Sequence, residues 1–91
     1  MNPEERVAFI QARLEAAFSP QSIIIKDESA RHAGHSGHGG GGHYCVIIVA
    51  EAFSGKSLLE RHRMVYQAVD EAVGSEIHAL SIKAYTPQEY P

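Results

Sequence analysis

Four of the six histidines in this 91-residue chain, His32, His35, His38 and His43, fall within twelve residues, and its only cysteine, Cys45, follows two positions later. Imidazole nitrogen and thiolate sulfur are the side-chain donors that zinc, nickel, copper and iron prefer. The stretch RHAGHSGHGGGGHYC therefore raises metal chemistry first. His32, His35 and His38 stand three apart and have the reach to converge on one ion at about 2.0–2.1 Å. The same stretch is glycine-rich, and glycine loses the most backbone entropy on ordering. Reach without preorganisation predicts a solvated loop that binds metal weakly by itself. Cys45 enters an apolar run, where a free cysteine ordinarily packs as a small hydrophobe.

A further histidine, His78, stands between apolar Ile77 and Ala79. Strand alternation would turn it away from the face that Ile77 occupies. A second constellation is cationic: Arg61-His62-Arg63, with Lys56 before it and Lys83 beyond. Lys56, Arg61 and Arg63 could contact phosphates, or dock a partner with Lys83. The net charge of −3 argues against strong non-specific binding of nucleic acid. Gly55 lacks a second glycine three residues on, so the Gly-x-x-Gly backbone clamp is absent at that loop. For His62 the favoured reading is structural, a part-buried ring hydrogen-bonded inside the fold. No nucleophile elbow or glycine-rich phosphate motif before a helix marks an enzyme.

The elements that must position these residues follow from periodicity. Val7, Ile10, Leu14 and Ala17, with Phe18, predict a first helix that Pro3 opens and Ser19-Pro20 stops. Ile23–Ile25 predict a short strand, and Tyr44 to Ala50 a second one, apolar on both faces and so central in its sheet. Ser57 and Glu60 form a capping box. The helix they open should bury Leu58 or Leu59, Met64 or Val65, Ala68 or Val69, and Ala72, and end at Gly74. Ile77 to Tyr85 predicts a last strand, with Leu80, Ile82 and Ala84 alternating against Ser81, Lys83 and Tyr85. The first two strands should pair antiparallel, and the intervening helix permits a crossover to the third. The expectation is an α+β fold: a three-stranded sheet with helices on one face, in one domain over residues 1–91 with a His/Gly loop at 30–43. No apolar run is long enough to span a membrane. The N-terminus does not read as a secretory signal, and one cysteine makes no internal disulfide, so the expected location is the cytoplasm.

Three stretches, KDESARHAGH, HYCVIIVAEAFSGKSLLERHRMVYQAV and IHALSIKAYTPQEY, together resemble the BolA family over nearly the whole chain. The combination carries the resemblance: Asp27-Glu28-Ser29 followed by His32, then Phe53-x-Gly55, Arg61-His62-Arg63 and Ile77-His78-Ala79-Leu80. It implies an α-β-β-α-α-β order similar to class II KH domains, with a short helical turn before the long helix. It implies a non-enzymatic protein, a monomer alone, that forms a heterodimer with a monothiol glutaredoxin. The pair would share a [2Fe–2S] cluster with glutathione, with no cofactor required by the isolated domain. By this resemblance His78 is one cluster ligand. A loop histidine is the second: His32 first, His35 next, with His38, His43 and Cys45 as lesser candidates. Arg61 and Arg63 would dock glutathione or DNA. A DNA-binding transcriptional regulator and a histidine-loop metal buffer are the competing readings.

Overall fold

The computed structural model describes residues 1–29 and 42–91. Helix α1 runs Pro3–Phe18. Its first turn is closed by a reciprocal cap: Glu5 N–H donates to Asn2 Oδ1 and Asn2 N–H donates to Glu5 Oε1, both at 2.8 Å. These bonds satisfy backbone donors that a helix start leaves open. The helix ends where Ser19 takes the left-handed conformation, φ 44°, and its N–H reaches the Glu15 carbonyl. Ile10 and Leu14 are buried, and Val7 and Phe18 are half-buried beside them. Ala17 is exposed, so the apolar stripe is narrower than its spacing predicted.

Strands β1 (Ser22–Asp27), β2 (Gly42–Val49) and β3 (Ile77–Tyr85) form one sheet in the order β1-β2-β3. β1 and β2 are antiparallel, and β2 and β3 are parallel. A parallel pair needs a crossover, and helix α2 (Leu58–Ala68) supplies it. Tyr44, Val46 and Ile48 of β2 pack with Leu80, Ile82 and Ala84 of β3 against Ile10, Leu14, Val65 and Val69. This is an α+β domain with a mixed three-stranded sheet and both helices on one face, as the pattern predicted. A short 3-10 turn, Glu51–Phe53, precedes α2. It lowers Phe53 fully into the core, 5.0 Å ring to ring from Phe18.

The start of α2 was legible in the sequence, and its packing was not. Ser57 and Glu60 cap each other as expected. Leu58 and Leu59, expected inside, are 69% and 58% exposed. The inward position in this first turn belongs to Arg61, only 7% exposed. The α-helix also stops at Ala68 rather than at Gly74. Val69 leaves helical geometry, a 3-10 turn follows at Asp70–Ala72, and Gly74 (φ 92°) then turns the chain into β3.

Arg61, His62 and Tyr66 explain how α2 sits. β3 is an edge strand, and an edge leaves backbone groups unpaired. Arg61 Nη1 donates to the Ala84 carbonyl (3.0 Å), and His62 Nε2 bonds the Ile82 carbonyl (3.2 Å). The Tyr66 hydroxyl donates to the Leu80 carbonyl and accepts from its N–H (3.1 and 3.3 Å). A carbonyl only accepts, so His62 Nε2 carries the proton. Three α2 side chains thus seal every second residue of the β3 edge. Arg61 also donates to the Lys56 carbonyl and forks onto Glu89 at 2.7 and 3.1 Å.

The Arg61 fork, aided by the Thr86 N–H, holds the Glu89 carboxyl at about 2, below its ordinary 4.5. A carboxyl depressed in the folded state contributes stability above its unfolded value, lost as pH falls toward the folded one. Acid unfolding between about pH 4.5 and 2 is therefore expected to be shallower in Glu89→Gln, measured as chemical-denaturation midpoints against pH. At neutral pH Arg61→Ala should lose about 2 kcal/mol in the same assay, as charge-assisted bonds are removed and two carbonyls lose their donor.

Candidate metal centre

The register of β2 against β3 slips by one residue at its start. Gly42 pairs with Ile77 and His43 with Ala79, so His78 is the extra residue of a bulge. From Tyr44 against Leu80 to Val49 against Tyr85 the pairing is regular. A bulge re-aims the residue it inserts. Here the exposed ring of His78 meets the half-buried ring of His43, with centroids 4.9 Å apart and planes inclined by 41°. Along β2 the helix-side core takes Tyr44, Val46 and Ile48. His43 lies on the opposite parity, so the histidine pair stands at one end of the face that is helix-free among the described residues.

His43 is held from both directions along its backbone. Glu28 N–H donates to the His43 carbonyl at 2.8 Å. His43 N–H donates to Ser29 Oγ at 3.1 Å, and Ser29 N–H donates to Asp27 Oδ1 at 2.9 Å. The Asp27 turn thus brings the Ser29 hydroxyl back over the first residues of β2. Gly42 is required on the other side: a Cβ there would run into the ring and hydroxyl of Tyr44, which is 1% exposed. Ser29, part of the family motif, is a clamp on β2 that the motif alone does not reveal. Asp followed two residues later by Ser, ahead of a loop, is the signal that could have shown it.

Of the residues expected to ligate, the structure brings together His43 and His78. His32, His35 and His38, with most of the 30–43 loop, lie outside the described residues. Cys45 is buried at 8% exposure, flanked across the strands by Lys26 and Ser81, and stands about 7 Å further along the strand than His43. Among the described residues no three His, Cys, Asp or Glu side chains converge. The pair therefore brings two imidazole rings together, with His43 Nε2 buried, and other donors must complete a coordination shell. Neutral imidazoles suit zinc, copper, nickel and iron. In Rieske centres two of them replace two thiolates on one iron of a [2Fe–2S] cluster.

The cationic constellation divides. Arg61, expected to dock glutathione or DNA, has its guanidinium committed to Glu89 and two backbone carbonyls. His62 is part-buried on the Ile82 carbonyl, as its structural reading held. Lys56 and Arg63 are exposed beside Glu60. The Glu60 carboxyl is lowered first by the Ser57 backbone N–H and then by the Ser57 hydroxyl, with both cations adding. Lys83 is exposed on β3 and also rims a groove of about 280 Å³ with Leu58, His62 and Tyr85.

The profile of the family described as BolA-like protein matches residues 14–89. Chloroplastic BOLA1 of Arabidopsis thaliana is 38% identical over 97% of this chain, which spans 58% of that protein's length. The DNA-binding transcriptional regulator BolA of Escherichia coli is 37% identical over 89% of this chain and 75% of its own. Among solved structures, the BolA domain of SufE1 from Arabidopsis thaliana superposes with a TM-score of 0.84 at 41% identity, covering 93% of this chain and 95% of the other.

Two substitutions test how the pair is held. Gly42→Ala should lower stability by about 1–3 kcal/mol in denaturant unfolding, since Tyr44 has no room to retreat. Ser29→Ala should shift the backbone amide resonance of His43 and weaken its ring contact with His78, while signals from Ile82 to Tyr85 stay in place. Ser29→Thr, which keeps the acceptor, should restore both.

Proposed function

Since this chain belongs to the BolA-like protein family, we propose that it is a non-catalytic adaptor that docks on a monothiol glutaredoxin and shares a [2Fe–2S] cluster with it, in iron–sulfur trafficking or iron regulation. The observation that carries this reading is the pair of imidazoles, 4.9 Å apart, set by a bulge at one end of the sheet face that no described helix covers. Such a pair is half a site. A cluster of this kind normally takes a fuller set of thiolate or imidazole ligands. In this reading a glutaredoxin cysteine and a glutathione thiol provide the rest. His78 is the constant member on this side, with His43 beside it and His32, His35 and His38 as alternatives within the loop. The cluster is shared cargo, so the domain is a monomer in isolation and a heterodimer in function. A cytoplasmic setting and kinship with class II KH domains belong to the same reading.

The Escherichia coli relative is a DNA-binding transcriptional regulator, which brings DNA binding into consideration. On this chain Lys56 and Arg63 would have to carry it without Arg61, against a net charge of −3. Salt-dependent binding to a specific duplex, lost in Arg63→Ala, would favour that reading. Tight zinc binding by the protein alone, abolished in His35→Ala/His38→Ala, would favour the metal buffer.

The glutaredoxin reading is tested by titrating the protein into a cluster-loaded monothiol glutaredoxin. Visible absorption and circular dichroism should shift on mixing, and His78→Ala should lose that shift. An unchanged shift in His78→Ala would remove His78 from the ligand set.

A further inference from the structure

We propose that the helix-free face of the sheet is the docking surface for the cluster-carrying thiol protein, recognising a partner surface rimmed by carboxylates. This rests on the reading above and deepens it by naming where and how the partner binds.

The strand registers define the face. Two cross-strand rows continue from the histidine pair: Lys26–Cys45–Ser81, then Ile24–Ile47–Lys83. Their centre is apolar, with Ile24 42% exposed and Ile47 half-buried. Each row ends in an exposed lysine. Asp27 is the only acidic residue in the three strands, and it falls on the helix side, where it borders Pro3, Glu4 and Val7. In a chain of net charge −3, the strands give this face two cations and no carboxylate, and Glu28, just past β1 and across from His43, is the one acidic residue at its end. Acidic partners are therefore attracted here and basic ones discouraged.

The fold also closes one of the two sheet edges, the β3 edge that carries His78. α2 side chains occupy the β3 edge at Leu80, Ile82 and Ala84, so no foreign strand can pair there. A partner that must reach His43 and His78 comes over the face. Three strands over five or six residues give a patch of roughly 15 by 20 Å, about 300 Å². Stable complexes bury about 800 Å² per partner. The face is therefore sized for a transient complex steered by charge, which suits a handover.

The test measures Kd of the full chain for a [2Fe–2S]-loaded monothiol glutaredoxin in about 50 mM and 300 mM salt. Lys26→Glu/Lys83→Glu should weaken binding about tenfold at low salt and flatten the salt dependence, with thermal unfolding unchanged. Lys83 also rims the α2 groove, so Lys26→Glu alone must carry part of the loss. Lys56→Glu/Arg63→Glu, on the α2 side, should stay within about twofold of wild type. Wild-type Kd in the sheet-face variants, or the loss appearing in the α2-side variant instead, would overturn the proposal. His78→Ala separates the two claims. If it keeps the spectral shift while Lys26→Glu/Lys83→Glu weakens binding, the ligand reading falls and the docking face stands. If it loses the shift while the lysine variants bind normally, the docking face falls and the ligand reading stands.

Discussion

The parallel pairing of β2 with β3, and its slip by one residue at His78, is the constraint on which the rest of this structure depends. Parallel strands cannot be joined by a tight turn, so the chain must cross over the sheet. That crossover places α2 on the same face as α1, and no described helix covers the opposite face. The slip then decides what stands at the end of that face. Without it, the pairing that matches Tyr44 with Leu80 would set His43 against Ala79 and Gly42 against His78. With it, His78 becomes the inserted residue and its ring meets that of His43.

Keeping the slip in place requires a rigid frame on both sides. On one side Asp27 and Ser29 tie the exit of β1 to the backbone of His43. On the other, α2 clasps β3 through Arg61, His62 and Tyr66. The Arg61–Glu89 fork extends that clasp to the turn after β3. Buried arginine is costly unless its donors are matched, and here Glu89 and two carbonyls match them. The family's Arg61-His62-Arg63 motif thus serves architecture at its first two positions and leaves only Arg63 facing solvent.

Much of this was legible in the residues, and the exceptions have physical causes. The Ser57–Glu60 cap is a local contact within four residues, so its spacing reveals it. The equivalent Asn2–Glu5 cap is as local, and Asn before Pro with Glu three residues on is its signal. The alternation of Leu80, Ile82 and Ala84 gave the inward face of β3. Arg61 could not be placed from sequence, because its carboxylate partner lies 28 residues away. The exposure of Leu58 and Leu59 follows from the same fact. The bulge left a trace that uniform alternation overlooked: Ile77 and Leu80 are both buried but three apart, which a regular strand cannot provide. The histidine spacing drew attention to His32, His35 and His38, whereas the described pair joins the loop's last histidine to one 35 positions further on.

The central claim is that imidazole from this chain bonds a cluster held jointly with a thiol protein. The most direct measurement is pulsed electron–nuclear double resonance on the reduced mixed complex, with ¹⁵N-histidine in this chain and natural-abundance glutaredoxin. The account predicts a strong ¹⁵N hyperfine coupling that disappears in His78→Ala. A reduced cluster with no ¹⁵N coupling from this chain would contradict it.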